Sequence, residues 1–153
     1  MLIETSIDID APLDRVWAAL VDFDRYPEWN PLTVKVRGEP REGETVRLTV
    51  HLGGQRMKRT HRVSRADGTA LCWTIEGPQW LMHGERCQTL TDLGDGRTRY
   101  ANREGVHGLA GPFVALTFRG TIRRALEATG EALKAFVEGS AQADGASLDT
   151  ATN

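Results

Sequence analysis

The residues best equipped for chemistry flank a short turn. Arg86 and Gln88 precede the tripeptide Gly94-Asp95-Gly96, and Asn102 and Glu104 follow it. Read as a three-residue hairpin loop with glycine at the left-handed position, that tripeptide sets Arg86 opposite Glu104, Gln88 opposite Asn102 and Leu90 opposite Tyr100. Leu90 and Tyr100 mark this as the inward face, and polar groups on a core face are the informative ones. A buried Arg–Glu pair is a weak source of stability, because desolvation offsets the attraction. A partly hydrated pocket explains it better. There Arg86 could orient a ligand carboxylate or phenol, and Glu104 could act as general acid or base. A purely structural ion pair is the competing reading.

The same register logic brings in further candidates. A two-residue loop at Gly53-Gly54 sets Val50 opposite Met57, Leu48 opposite Arg59 and Val46 opposite His61. A three-residue loop at Ala66-Asp67-Gly68 sets Val63 opposite Leu71 and His61 opposite Trp73. If the loop at 77–82 closes with four residues at 78–81, Trp73 falls opposite Arg86. One inward row then reads Val46, His61, Trp73, Arg86, Glu104, beside a second of Val63, Leu71, Gln88 and Asn102. His61 could transfer protons near neutral pH, or be a hydrogen-bonded wall residue. Arg59 either contacts a ligand or points to water at an open rim. Trp73 belongs to the core or the cavity wall.

His83 and His107 oppose each other on the outer face. Two imidazoles are too few for a closed site, so no metal is expected. Cys72 and Cys87 also oppose each other on that face; a disulfide is geometrically possible, but reduced thiols are expected in a cytoplasmic protein. The basic cluster "KRTHR" at 58–62 alternates between faces as a strand, which argues against a nucleic-acid surface.

The elements that must position these residues follow from periodicity. "LIETSIDI" alternates and reads as a first strand. Ala11-Pro12 opens a short helix, since proline suits a first turn and Asp14 suits the positive end. A second helical piece begins at Asp22 and ends before Pro31, which pushes Asn30 out of the helical region. From Leu32 to His107 the period is two. From Pro112 to Val137 it is that of an amphipathic helix of roughly 26 residues, with Gly139 as a stop. Residues 140–153 carry few large apolar side chains and read as a disordered tail. Six antiparallel strands after the first, and one long helix, bury their apolar faces only if the sheet curls around the helix.

With 153 residues, 40% hydrophobic, 26% charged and a net charge of -2, the chain fits one globular domain with no electrostatic footprint for nucleic acid. No segment approaches the ~20 apolar residues of a membrane span. The first residues lack a basic region and an apolar core, so no signal peptide is expected and the cytoplasm is the expected location. No CxxC, HExxH, Walker A or GxSxG pattern occurs.

The stretch "IDIDAPLDRVWAALVDFDRYPEWNPL" resembles the N-terminal signature of the START/Bet v 1-like (SRPBCC) superfamily, especially its bacterial polyketide cyclase/dehydrase-like members. "GDGRTRYANREGVHGLAGP" resembles that family's closing hairpin and the start of its last helix. The resemblance covers residues 2–138. It implies an α+β helix-grip fold over residues 1–139: a seven-stranded antiparallel sheet curled around a long C-terminal helix, two short helices after strand 1, and an internal cavity. It also implies a hydrophobic or aromatic, lipid- or polyketide-like ligand held by Arg59, His61, Trp73, Arg86, Gln88, Tyr100, Asn102, Glu104, Phe113 and Phe118. Relatives often carry His, a bulky apolar residue and a second His where this chain has Arg86, Gln88 and Asn102, so its cavity is expected to be more polar. Tyr26 and Trp29 either plug the core or, with Phe113 across from them, gate the mouth. The alternative is a cyclase/dehydratase-type acid/base enzyme using Glu104, His61 and Arg86. An interaction module, the third possibility, requires an apolar outer patch that the polar outer alternation disfavours. No cofactor, no nucleic acid and no membrane segment are expected, and the chain is expected to be a monomer or homodimer.

Overall fold

The computed structural model describes residues 1–75, 80–81, 83–109 and 111–149, without the side chains of 114 and 141–149. Strand β1 (Leu2–Ile9) is followed by helix α1 (Leu13–Val21), a 3-10 turn (Phe23–Arg25) and helix α2 (Tyr26–Trp29). Then come β2 (Thr33–Arg37), β3 (Thr45–Leu52), β4 (Gln55–Ala66), β5 (Ala70–Ile75), β6 (His83–Gly94) and β7 (Arg97–His107), and helix α3 (Gly111–Asp149). The seven strands form one antiparallel sheet in the order β1-β7-β6-β5-β4-β3-β2. This is the helix-grip arrangement.

Local chemistry explains the corner after α2. Asn30 is extended, with φ -87° and ψ 107°. Its side-chain oxygen accepts the backbone N–H groups of Leu32 (3.1 Å) and Thr33 (2.7 Å), which turns the chain into β2. The Tyr26 hydroxyl donates to the Leu20 carbonyl at 2.7 Å, tying α2 to the end of α1. Trp29 stacks on Phe136 of α3, and the Arg25 guanidinium lies 4.5 Å from the centre of the Phe136 ring.

The sheet register agrees with the turn reading at three junctions. Leu48 faces Arg59 and Val46 faces His61. Arg86 faces Glu104, and Gln88 faces Asn102. Trp73 faces Arg86. The fourth junction differs: Val63 faces Trp73 and His61 faces Ile75, with a register shift between Val63 and Arg65. The cause is Asp67. Its carboxylate accepts the N–H groups of Thr69 (3.0 Å) and Ala70 (2.9 Å), which lengthens the loop beyond three residues. The bulge in β4 absorbs the difference. Along His61 and Val63 the partners move by two positions, so inward residues remain inward, and His61 keeps an edge contact with Trp73 at 6.5 Å between centroids.

Cys72 and Cys87 face each other as expected, but they are joined as a disulfide and are not reduced thiols. Their Cα atoms are 4.1 Å apart, the close spacing of a strand pair without mutual backbone hydrogen bonds.

Helix α3 does not stop at Gly139 but continues to Asp149. Ser140 satisfies the Phe136 carbonyl through its hydroxyl at 2.8 Å, and Ala141, Ala143 and Ala146 are strong helix formers. The expected tail thus begins within this helix, and residues 150–153 lie outside those described. Gly130 permits close helix–sheet contact: a Cβ there would stand 3.3 Å from Ile7 and 3.7 Å from the Tyr100 ring. The core is concentrated at this end, where Leu133 and Val137 meet Ile9, Leu20, Tyr26, Trp29 and Tyr100. A smaller cluster of Ile3, Leu32, Ile122 and Leu126 continues it toward the helix start.

Candidate functional site

Toward its N-terminal half α3 buries less against the sheet. Leu126 is fully buried and Ile122 nearly so, whereas Phe118 is 42% exposed and Phe113 66% exposed. The sheet curls on past this point, and a cavity of about 410 Å³ lies between it and the helix. Its apolar wall comes from Leu32, Leu48, Val50, Ile75, Val106 and Ile122, with Phe118 at the exposed edge. Its polar wall comes from Thr33, Gln55, Arg59, His61, Arg86 and Glu104.

Six of the ten expected ligand residues line this cavity: Arg59, His61, Trp73, Arg86, Glu104 and Phe118. Alternation on β4, β5, β6 and β7 turns the first five inward, and helical periodicity turns Phe118. The other four do not line it. Tyr100 donates to Gln88 Oε1 at 2.7 Å and accepts from Asn102 Nδ2 at 3.0 Å. All three are almost fully buried. They form a polar network inside the core, one strand repeat away from the cavity. Burial pushes the Tyr100 phenol well above its ordinary value, so it remains a neutral donor. Phe113, in the first turn of α3, is 66% exposed and is not among the cavity-lining residues. Tyr26 and Trp29, the candidate gate residues, are buried and do not line the cavity; Tyr26 packs on Trp29, and Trp29 stacks on Phe136.

Sequence reasoning missed other wall residues. Leu48 and Val50 were legible as an inward alternation, but Thr33 depends on the Asn30 corner and Gln55 on how far β4 extends. Gly84 gave no signal. A Cβ there would stand 2.5 Å from the Ile75 side chain, so the glycine makes room for Ile75 against the wall.

The electrostatics are asymmetric. Arg86 Nε donates to Glu104 Oε2 at 2.7 Å, with the two side chains only 14% and 16% exposed. Arg59 has no carboxylate partner among the described residues; it bonds the Lys58 carbonyl at 3.2 Å and rests on the Met57 sulfur at 3.3 Å. His61 is 8% exposed, and its Nδ1 has no hydrogen-bond partner. Burial, helped by the Arg86 and Arg59 cations, lowers its pKa to about 4. At neutral pH His61 is therefore uncharged.

His83 and His107 are paired across β6 and β7. No group of three or more His, Cys, Asp or Glu side chains that could hold a metal occurs among the described residues. No helix among them is long and apolar enough to cross a membrane.

Comparison with known proteins agrees with this architecture. The family model described as "Polyketide cyclase / dehydrase and lipid transport" matches residues 2–138. A START superfamily protein from Mycobacterium smegmatis superposes with a TM-score of 0.73 at 20% identity, over 90% of this chain and 97% of that one. The Zhui aromatase/cyclase from a Streptomyces species gives 0.72 at 21% identity, over 90% and 93%. Norcoclaurine synthase from Thalictrum flavum gives 0.70 at 12% identity, over 92% and 95%. No curated protein sequence matches.

Proposed function

The chain belongs to the polyketide cyclase/dehydrase and lipid transport family, and from that premise we propose that its cavity binds one small, largely apolar or aromatic molecule bearing polar groups. The observation that carries this reading is the cavity itself. Its volume of about 410 Å³ falls within the range of small-molecule sites. Its wall is mostly apolar, with a few convergent polar groups on β4, β6 and β7. An apolar body would displace water from the Leu32, Val50, Val106 and Ile122 side, while its polar groups met Arg59, His61 or Arg86.

The acid/base alternative receives less support. Glu104 is held by Arg86, and His61 gives up its proton well below neutral pH, which makes it a weak base there. Glu104→Gln separates the two: a binding protein changes only in affinity, whereas an acid/base enzyme loses turnover while keeping affinity. The cytoplasmic setting and a monomeric or homodimeric state belong to the same proposal; cell fractionation and light scattering test them.

The direct test is native mass spectrometry of freshly purified protein against the same sample denatured. A mass excess that disappears on denaturation identifies a retained ligand. If there is no such excess, and no aromatic or aliphatic probe changes the tryptophan fluorescence on titration, the reading fails.

A further inference from the structure

Seven large apolar side chains are exposed among the described residues: Leu2, Trp80, Leu81, Leu109, Phe113, Leu116 and Phe118. All of them gather at one end of the molecule. In an antiparallel sheet alternate connections leave from the same end. The β3–β4 turn, the β5–β6 connection and the β7–α3 connection therefore share an end, the one where Gly53, Gln55 and Phe118 line the cavity. Trp80 and Leu81 lie in the second of these connections and Leu109 in the third, and the Leu109 N–H donates to the Trp80 carbonyl at 3.2 Å. Leu2 is paired with Gly105, near the close of β7. Phe113, Leu116 and Phe118 occupy the first two turns of α3.

The charge at this end is one-sided. Residues 48–61 and 105–126 carry six Lys or Arg and no Asp or Glu, although the whole chain has 19 basic and 21 acidic residues. Arg56, Lys58 and Arg59 follow the β3–β4 turn. A Cβ on Gly53 of that turn would stand 3.9 Å from the Thr121 side chain, which puts the turn at the level of Arg119, Arg123 and Arg124 on α3. All six cations are exposed. Of the adjoining acids, Glu104 is held by Arg86, and Glu127 is 3.7 Å from Arg123. Glu85 alternates with the cavity-lining Gly84 and Arg86, so it points to the outer face of the sheet, away from α3.

We propose that this end of the protein docks on an anionic bilayer surface, with Trp80, Phe113 and Leu116 inserted and the cations among the head groups. Along α3 the order is apolar first and basic second. Phe113 and Leu116 are 66% and 89% exposed, and Arg123 and Arg124 follow on the outward side about 10 Å further along the axis. That order suits an interface in which apolar side chains enter the acyl boundary while basic ones stay at the charged surface. Leu116 and Phe118 stand about 200° apart around the helix, and the other apolar residues come from separate segments. A groove in a partner protein takes one stripe of a helix. A fluid lipid phase accommodates side chains on several sides at once. The docked surface surrounds the cavity mouth, so a largely apolar molecule could pass between bilayer and cavity without crossing water.

The test is sedimentation of the full chain with vesicles of phosphatidylcholine, alone or with about one-third phosphatidylglycerol, while tryptophan emission is followed in parallel. Wild type is expected to bind the anionic vesicles at least roughly tenfold tighter than the neutral ones, and to lose that preference at about 1 M salt, where screening acts over ~3 Å. Trp80 is 69% exposed whereas Trp29 and Trp73 are buried, so binding should shift the emission to the blue and Trp80→Phe should remove most of the shift. Arg119→Gln/Arg124→Gln should weaken binding roughly 25-fold, at about fivefold per basic residue. Phe113→Ser/Leu116→Ser should weaken it at least roughly tenfold. These four side chains are exposed, so both variants keep the fold, which thermal unfolding checks. Failure of wild type to sediment with either vesicle overturns the proposal. So does binding that Phe113→Ser/Leu116→Ser leaves unchanged, because that is charge adsorption without insertion. Soluble poly-glutamate that binds with the same Trp80 shift, and with the same loss in Phe113→Ser/Leu116→Ser, would assign the face to an acidic protein and overturn the lipid assignment. All three failures leave the small-molecule reading of the cavity standing.

Discussion

Acidification should destabilise this protein, and one buried side chain carries a separable share of the loss. His61 titrates near 6.5 when unfolded, and burial together with Arg86 and Arg59 brings it to about 4 when folded. As pH falls, the unfolded chain takes up the proton first, so the folded state loses ground. The stability is fully present above 6.5 and is lost on the way down to 4. The gap of about 2.5 pH units corresponds to about 3 kcal/mol, at 1.36 kcal/mol per unit. His61 is 92% buried, so solvent screening removes little of this. The assay is urea unfolding at half-unit steps from pH 7.5 to 4, on wild type and His61→Gln. Contributions from His51, His83, His107 and the carboxylates appear in both proteins and cancel in the difference. Wild type should lose about 3 kcal/mol more than His61→Gln across the window, at an unchanged denaturant slope. Parallel curves would refute the reasoning, because they would mean that His61 is charged or solvated in the folded protein.

Three further outcomes follow from the same geometry. Arg86→Met leaves the Glu104 carboxylate uncompensated in a largely buried setting and should cost about 3 kcal/mol, with part of that recovered in the Arg86→Met/Glu104→Gln double variant; a chemical-denaturation cycle reads both. The Cys72–Cys87 bond closes a separation of 15 residues, and the chain-entropy argument assigns it about 3 kcal/mol, so a reductant should lower the unfolding midpoint of wild type and leave Cys87→Ala unmoved. Gly84→Ala should press Ile75 into the cavity, weakening bulky ligands more than small ones at a stability cost of roughly 1 kcal/mol; paired titrations with one- and two-ring aromatics check this.

Most of the polar wall was legible because it depends on parity and little else. Gly53-Gly54 and Gly94-Asp95-Gly96 have conformational demands that set register locally, and alternation carries that register along the strands to Arg59, His61, Arg86 and Glu104. The β4–β5 junction shows the limit of that reasoning. There a side chain, Asp67, competes for backbone donors, and the loop grows at the expense of the pairing. The reading of faces survived only because the shift along His61 and Val63 was even. The depth of a residue along the strand was not legible. Gln88, Asn102 and Tyr100 share a face with Arg86 and Glu104, but they lie where α3 comes closest, at Gly130, and the space there is filled. The helix terminus was misjudged for a related reason: Gly139 is a weak helix former, but it is not required to stop a helix whose next residues are Ser and Ala.

The position of the cavity follows from what braces α3 along its length. At the Leu133–Val137 end the helix is held by the sheet and by α1 and α2, through Trp29 against Phe136 and Tyr26 against the end of α1. Among the described residues, no helix or aromatic cluster of that kind braces the other end. There the helix follows Gly108 and begins at Gly111, and its large residues either face solvent, as Phe113 and Leu116 do, or stand at the cavity edge, as Phe118 does. Filling that end with core would need side chains of the size found at Tyr26 and Trp29. The strands supply instead Gly84, Thr33, His61 and an ion pair, which are either too small or too polar to close it. The cavity is therefore a property of where the aromatic residues fall in the chain. Stability is concentrated at one end of the helix, and the polar wall of Arg59, His61, Arg86 and Glu104 lies at the other.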